Sequence, residues 1–508
     1  MSQIKKGAAL NYINILLTNV VGLVLTPFII AQLGKSEYGL YTMVGALVSG
    51  LAVLDIGIGN CVVRFTAKYR AEEDKRGEEN FLATVFYIYC AIALAICLGG
   101  AILYFNLDAL YGQTFTAEEL RKTKIMFVIL IFNLAITLPG SVFGAYCSAY
   151  EQFVYPKTVK ITRYIIRSLL VVALLLYGTG AISLVIVDTL MGISVVVANA
   201  NYCFKNLNIK VKLHEFQKSL IYRIFSYSIW IFVFALVSRL QWQAGQIVLG
   251  TLDSPAIVGI FSVGVTLGTY YGAFSTAISS VFLPRATKMF VKSASGEELT
   301  DMMIKIGRVS LLVLLFILAA FSLYGEQFVD LWVGSTYTDT YTEIYWIAVL
   351  IMLAYTVPLI QNFGNATLEA QNKLRFKALL YLGFALVGAG LGYWFAHYYG
   401  ALGMITGTII GWVIVQIVMN IYYHKVIHLN IPRFFKEVSH KTLPSALVAF
   451  AIGFAIRYIP GDGWINFFIK AVLFSLTYIS IVYKFGTIAY EKGLFTEALN
   501  SAKQKIKR

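Results

Sequence analysis

Four residues near position 240 have side chains suited to binding a phosphorylated sugar. At i, i+3, i+4 and i+7 they are Arg239, Trp242, Gln243 and Gln246, which places them on one helix face. An arginine fork makes two charge-assisted bonds to a diphosphate, and Trp and Gln suit sugar rings by stacking and hydrogen bonding. We predict that this face lines a substrate cleft. The alternative is that Arg239 pairs with an acid and only joins helices.

A second polar stripe lies in the first apolar run of the chain. Asn11, Asn14 and Thr18 follow each other at i, i+3 and i+7, again on one helix face. We expect them to line the same cleft from the other half of the molecule. The alternative is ordinary hydrogen bonding between helices, worth about 0.6 kcal/mol per contact.

Two acids lie inside apolar runs, where an ionisable side chain costs about 2.5–3.5 kcal/mol to insert. A carboxylate at low dielectric can titrate, so Asp188 and Asp55 are candidates for binding a coupling proton or Na⁺. Asp188 is the more isolated acid in sequence and is the better candidate. Asp55 has the alternative of pairing with Arg64 or a neighbouring helix.

Three cations share a face near one end of a further apolar run, at Lys160, Arg163 and Arg167. Long basic side chains at helix ends commonly extend to lipid headgroups. The more specific alternative is that these three side chains bind the anionic headgroup of a substrate at the inner leaflet.

The composition indicates a protein that is embedded in a membrane. Of its 508 residues, 58% are hydrophobic and 13% are charged, whereas soluble domains carry about 25% charged residues. This excludes a soluble multidomain enzyme and argues against a nucleic-acid-binding or disordered chain, despite the net charge of +15. The positive charge is better explained by membrane topology and, secondarily, by contact with anionic lipids.

Long unbroken apolar runs predict an all-α integral membrane protein, because a backbone inside a bilayer must satisfy its own hydrogen bonds. We predict about fourteen spans. They are 8–32, 40–62, 81–105, 125–147, 159–178, 181–203, 225–249, 257–283, 306–324, 343–365, 377–397, 401–423, 442–459 and 465–485. Most of the 41 Lys and Arg residues fall on one side of these spans, which predicts that both termini are cytoplasmic.

The two halves of the chain match at an offset near 220. The matching markers are Lys68 with Lys288, Lys157 with Lys377, Gly180 with Gly400, and 39–42 with 259–262. An even number of helices per copy predicts two parallel six-helix lobes with a substrate path between them, as in many transporters. The predicted parts are a first lobe at 1–203, a cytoplasmic linker at 204–224, a second lobe at 225–423, and two helices with a basic cytoplasmic tail at 424–508.

Motifs of common enzymes are missing from the sequence. It has no phosphate-binding Gly-Lys-Ser/Thr loop, no GxGxxG after a strand, no His-Glu-x-x-His and no G-x-S-x-G turn. Its five His and five Cys residues form no metal-ligand pattern. We therefore predict no enzymatic activity, no cofactor and no metal site.

Several short motifs carry a resemblance to a known family. They are Leu33-Gly34, Tyr38-Gly39-Leu40-Tyr41, Leu54 to Asn60, Val63-Arg64-Phe65, Leu138-Pro139-Gly140, Ala149 to Phe153, and Leu249 to Val263. Together with the 6+6+2 plan of the spans, they resemble the polysaccharide (O-antigen type) flippases. These belong to the multidrug/oligosaccharidyl-lipid/polysaccharide exporter superfamily.

The resemblance implies a function. Such flippases move undecaprenyl-pyrophosphate-linked oligosaccharides from the inner to the outer leaflet of the bacterial inner membrane, by alternating access and without hydrolysing ATP. The implied partners are the lipid-linked sugar, membrane lipids, H⁺ or Na⁺, and other membrane proteins of polysaccharide assembly, with no nucleic acid. Many members carry an acid–Arg pair where this chain has Ser238-Arg239, which counts against a coupling acid at that place.

Other functions remain open at this point. Within the same superfamily the alternatives are a drug/cation antiporter and a lipid II flippase. A membrane-embedded polysaccharide polymerase is a different class, but the loops are too short for the extracytoplasmic domain that such enzymes usually carry, and the duplication favours a transporter.

Overall fold

The computed structural model describes residues 3–55, 57–279, 288–289, 291, 293–371 and 373–493, and all their regular elements are helices. The α-helices are α1 (Gln3–Leu51), α2 (Ile58–Ala71), α3 (Lys75–Tyr111), α4 (Ala117–Ala149), α5 (Val154–Leu176), α6 (Ala181–Lys205), α7 (Lys218–Trp242), α8 (Ala244–Leu252), α9 (Pro255–Ser279), α10 (Gly296–Val333), α11 (Tyr341–Ile360), α12 (Asn362–Ala370), α13 (Leu374–Val426), α14 (Ile431–Ser439), α15 (Thr442–Arg457) and α16 (Gly463–Ile481). The basic tail predicted after these helices lies outside the described residues.

Two of the longest helices each contain a sharp break at a glycine. In α1 the break is at Gly34, with φ 77° and ψ 173°, and in α13 it is at Gly400, with φ 53° and ψ −131°. Glycine adopts a positive φ without the steric cost that a Cβ atom brings. Each break lies between two predicted spans, so each of these long helical segments contains two spans.

The span predicted over 225–249 is interrupted by a helix break. Helix α7 ends at Trp242 and α8 begins at Ala244, with Gln243 between them at φ −117°. Directly after this break, Gly245 packs so closely that a Cβ atom there would lie 2.4 Å from the ring of Phe261. The apolar composition of the segment does not reveal the break.

Among the described residues, ten helices are long and apolar enough to cross a membrane, or eleven if the bent α7 is one span. The number is lower than fourteen for two reasons. Each of the two helices with a glycine break contains two predicted spans but counts once, and α5 carries four cations and is therefore less apolar. The number fourteen stays a prediction. Large apolar side chains are widely exposed on these helices, including Phe105 at 78% and Ile465 at 79%. Such a surface is typical of one that faces lipid.

The chain divides into two compact units. The first contains 1–262 and 389–404, and the second contains 263–388 and 405–508. The first unit has a core of buried aliphatic and aromatic side chains on α2, α3 and α4, with Tyr89 and Phe81 fully buried. The second unit has a core between α10, α15 and α16, centred on Phe474. The predicted division at 203 and 225 follows the repeat and stays a prediction.

Two positions paired by the offset of 220 touch each other inside the first unit. The hydroxyl of Ser262 donates a hydrogen bond to the hydroxyl of Thr42 at 3.0 Å. Three residues earlier, a Cβ atom on Gly39 would lie 1.7 Å from the carbonyl oxygen of Pro255. Where two copies are related by a two-fold axis, equivalent positions can contact each other close to that axis. The repeat itself stays a prediction.

A buried ion pair joins the last helices of the second unit. Arg308 on α10 is 3% exposed and donates to both carboxylate oxygens of Glu491, at 2.6 and 3.3 Å. Its remaining N–H groups donate to the carbonyl oxygens of Glu437, His440 and Gly486, at 2.7, 2.9 and 2.9 Å. The fully bonded guanidinium thereby connects α10 to the ends of α14 and α16.

We predict that Arg308→Met lowers the free energy of unfolding by about 3–5 kcal/mol, because Glu491 would remain buried without its partner. The measurement is thermal and denaturant unfolding of the purified protein in detergent. Arg121→Met is the matched control, since Arg121 is exposed at the start of α4 and should change stability little. Equal stability of the Arg308→Met and Arg121→Met proteins would contradict the prediction.

Candidate functional site

The first unit encloses a polar cavity of about 490 Å³. It begins beside the connection from α4 to α5, at Phe153 and Pro156, and reaches Asn133 in the middle of α4 and Gly192 in the middle of α6. Its lining is Gly59, Asn60, Val63, Asn133, Thr137, Gly140, Ser141, Gly144, Ala145, Ser148, Phe153, Pro156, Lys157, Lys160, Arg163, Gly192, Val195, Val196 and Asn199. Its volume is in the range of small-molecule sites, about 300–1,000 Å³.

Small residues on α4 and α6 give the cavity its shape. A Cβ atom on Gly140 would lie 2.3 Å from a methyl group of Val196, so glycine is needed where these two helices meet. A Cβ atom on Gly192 would lie 2.9 Å from the methyl group of Thr137 and 3.1 Å from the amide oxygen of Asn133. The two glycines thus keep the helices close and leave room between their polar side chains.

Three cations of α5 enter the cavity lining. Lys157, Lys160 and Arg163 recur every three residues and so lie on neighbouring positions of one helix face. Within the part of the chain that the structure describes, neither Lys160 nor Arg163 forms an ion pair with an acid. The Nε atom of Arg163 is buried and has no hydrogen-bond partner there. The cavity therefore presents positive charge and an unused donor, which suits an anion.

Neutral polar groups line the rest of the cavity. Amides come from Asn60, Asn133 and Asn199, and hydroxyls come from Thr137 and the two serines of α4. Asn199 is only 5% exposed, and its Oδ1 atom has no hydrogen-bond partner among the described residues. Amides and hydroxyls in a confined space are the groups that bind sugar hydroxyls by hydrogen bonds.

Arg167, predicted as part of the cationic set, lies beside Asp188 and does not line the cavity. Its Nη2 donates to Oδ2 of Asp188 at 3.1 Å, and its Nε donates to Oδ1. The hydroxyl of Tyr41 donates to Oδ2 of Asp188 at 3.0 Å and accepts from Nη2 of Arg167 at 3.2 Å. Asp188 appears alone in the sequence, but the structure gives it two partners from α1 and α5. It also lines a second cavity, of about 310 Å³.

The remaining predicted residues of the first half lie outside the polar cavity. Asp55 accepts a hydrogen bond from the hydroxyl of Tyr89 at 3.0 Å. Thr18 donates to the carbonyl oxygen of Asn14 in its own helix at 2.8 Å, and its own carbonyl accepts from the hydroxyl of Tyr164 at 3.1 Å. Asn11 is exposed. The stripe therefore contacts α5 at Tyr164 but does not line the polar cavity.

The stripe around position 240 is divided by the helix break at Gln243. Arg239 and Trp242 belong to the end of α7, whereas Gln246 lies in α8. None of these side chains lines the polar cavity. Arg239 is half-buried and forms no ion pair with an acid among the described residues. The buried Oε1 of Gln243 has no hydrogen-bond partner there.

The sequence-based prediction missed most of the neutral lining of the cavity. A signal was present in α4, where polar and small residues recur with helical spacing at Asn133, Thr137, Gly140, Gly144 and Ser148. Such stripes also occur where helices simply pack closely. Within the described residues, no group of three or more His, Cys, Asp or Glu side chains is placed to hold a metal ion.

Comparisons with known proteins give a family match for the first part of the chain and a shared fold for most of it. Residues 4–290 match the family described as polysaccharide biosynthesis protein. A Shigella flexneri protein assigned as an O-antigen transporter is 18% identical over 404 residues, covering 78% of this chain and 92% of that protein.

Two solved structures share the fold over most of their length. An inward-facing multidrug resistance transporter of the MATE family, in the MOP superfamily, is 13% identical with a TM-score of 0.69, and the match covers 82% of this chain and 96% of that one. The lipid II flippase MurJ, in an inward closed conformation, is 15% identical with a TM-score of 0.68, and the match covers 94% and 97%. The chain therefore has the fold of the MATE and MurJ proteins.

We predict that the contact between Arg167 and Asp188 stabilises the first unit by about 1.5–3 kcal/mol, as a charge-assisted pair does. Arg167→Gln and Asp188→Asn should each lower the free energy of unfolding, and the double variant should lose less than the sum of the two. The measurement is a double-mutant cycle by denaturant unfolding in detergent. Strictly additive losses would show that the two groups do not interact.

Proposed function

We propose that this chain, which belongs to the polysaccharide biosynthesis protein family, is a transporter that moves a lipid-diphosphate-linked oligosaccharide from one leaflet of a membrane to the other. The observation that carries the proposal is the cationic cavity of the first unit. Lys157, Lys160 and Arg163 supply positive charge at its lining, and this is where we place the diphosphate of the substrate.

The charges of the cavity match those of a lipid diphosphate. A diphosphate that leaves water needs compensating charge, because an isolated ion is costly to bury. Lys160 and Arg163 form no ion pair with an acid among the described residues, and we propose that their charge binds the ligand. A guanidinium makes two bonds to phosphate oxygens, and an ammonium contributes a point charge.

The substrates of the two alternatives within the superfamily differ in charge. A cationic drug would be repelled by three cations on one helix face, so the cavity disfavours a drug/cation antiporter. Lipid II is itself a lipid diphosphate, so the cavity chemistry does not separate a lipid II flippase from an oligosaccharide flippase. The family match and the O-antigen transporter of Shigella flexneri favour the oligosaccharide.

The membrane setting belongs to the same proposal. We place the protein in the bacterial inner membrane with both termini in the cytoplasm, because most of its Lys and Arg residues then lie inside. Phe153 and Pro156, at the connection from α4 to α5, line the cavity, and this connection is cytoplasmic in this topology. We propose that the substrate is captured from the inner leaflet, without ATP, and that other membrane proteins of polysaccharide assembly act before and after transport.

Two further sets of residues keep the roles proposed from the sequence. Asp188, and less so Asp55, remain candidates for binding a coupling H⁺ or Na⁺, while Arg239 with its neighbours Trp242, Gln243 and Gln246 remains a second candidate for contacting the substrate. Asn11, Asn14 and Thr18 have the same candidate role. The absence of an acidic partner for Arg239 among the described residues supports a ligand contact over a purely structural one.

We predict that Lys160→Gln and Arg163→Gln each lower the rate of flipping at least tenfold, because each removes a charge-assisted contact worth about 1.5–3 kcal/mol. The assay is the purified protein in liposomes with a fluorescent lipid-diphosphate oligosaccharide, followed by quenching from outside. Lys212→Gln is the matched control, since Lys212 is exposed on the segment before α7. Wild-type protein that flips no lipid diphosphate, lipid II included, would overturn the proposed function.

For Arg239 we predict partial loss of flipping in Arg239→Lys and nearly complete loss in Arg239→Ala. Lysine keeps the charge but makes a monodentate contact, whereas alanine removes about 1.5–3 kcal/mol of charge-assisted bonding. Thermal stability of both variants should remain near that of the wild type. Normal flipping by a stable Arg239→Ala protein would exclude a substrate role for this residue.

A further inference from the structure

Two buried polar atoms of opposite kind lack partners in the same cavity. Nε of Arg163 is a hydrogen-bond donor, and Oδ1 of Asn199 is an acceptor. Both atoms are inaccessible to solvent, and neither has a hydrogen-bond partner among the described residues. An unsatisfied buried polar group is unfavourable. A ligand that supplies one acceptor and one donor would satisfy both atoms once the two side chains rotate toward it.

We infer that Asn199 determines specificity for the sugar that is joined directly to the diphosphate. This inference rests on the proposed function, in which α5 binds the diphosphate. A phosphate oxygen supplies the acceptor for Nε of Arg163. The sugar ring, which is one bond beyond the phosphate oxygen, supplies a hydroxyl or amide N–H as donor for Oδ1 of Asn199.

The shape of the cavity limits the contact to this first sugar. Its volume of about 490 Å³ holds a diphosphate and one ring, so further sugars would extend beyond it. Gly144 lies next to Asn199, where a Cβ atom would be 3.9 Å from the amide nitrogen. Gly192, on the same helix as Asn199, lets Asn133 and Thr137 pack closely against α6. The ring would lie beside Gly144, with amides and hydroxyls around its edge.

Asn199 is suited to recognising a sugar ring because its side chain carries no charge. A carboxylate at this position would repel the diphosphate, whereas an amide oxygen accepts a hydrogen bond without adding negative charge. A site that is built to hydrogen-bond a substrate group discriminates strongly against an analogue without that group. The cations of α5 therefore provide attraction for any lipid diphosphate, and Asn199 provides the discrimination.

The test measures the affinity of the purified wild-type protein in detergent for two probes, a short polyprenyl diphosphate and the same lipid carrying one sugar. We expect the sugar to strengthen binding about tenfold. In Asn199→Leu and Asn199→Ala this preference should disappear, while the affinity for the plain diphosphate stays the same. Asn106→Leu is the matched control, because Asn106 is an exposed amide of α3 that donates to the carbonyl oxygen of Ile102 in its own helix.

The outcomes separate this inference from the proposed function. Sugar preference that survives in both Asn199 variants would overturn the inference, as would equal losses for the two probes. A water molecule that satisfies Asn199 would produce the first of these results. The proposed function fails separately, if the wild-type protein binds neither probe or if Lys160→Gln weakens neither.

Discussion

Charge compensation inside an apolar helical bundle is the constraint on which the rest of this structure depends. Each cation that is withdrawn from water needs a partner, because the cost of burying an unpaired ion is several kcal/mol. Arg308 has a full set of partners and joins helices. Arg167 is paired with one acid. Lys160 is exposed and Arg163 is half-buried, and neither forms an ion pair with an acid among the described residues, although both line the cavity. The ion pairs thus distinguish the arginines that join helices from the two cations at the cavity.

The predicted duplication pairs each cavity residue of the first half with a position in the second half, so the two sets of residues can be compared. At an offset of 220, Arg163 corresponds to Gly383, and Gly192 corresponds to Trp412. Trp412 is 8% exposed, so a large ring is packed in the second unit at the position that the predicted repeat pairs with Gly192. If the two halves descend from one ancestor, only the first half now has both a small residue at the position of Gly192 and a guanidinium at the position of Arg163. The anion site is then a property of one half, and the second half is free to serve packing and movement.

The sequence predicted the class of the fold and part of the site, for reasons that are visible in single helices. Apolar runs reveal helices, and the periodic cations of α5 reveal a charged face with Lys160 and Arg163. Contacts between distant helices leave no such local pattern. Asp188 therefore looked isolated, although Arg167 lies 21 positions before it and bonds to it. The break at Gln243 lies two residues before the close contact of Gly245 with Phe261, and the apolar composition of the segment reveals neither feature.

The pair between Arg167 and Asp188 shows how one helix can carry cations with different surroundings. Both carboxylate oxygens of Asp188 accept bonds from the guanidinium, and Oδ2 also accepts one from Tyr41. These contacts hold Arg167 between α1 and α6, where it does not line the polar cavity. Arg163 lies four residues earlier on the same helix face, lines the cavity and forms no ion pair with an acid among the described residues. One turn of α5 therefore separates a cation that joins helices from a cation that borders the cavity.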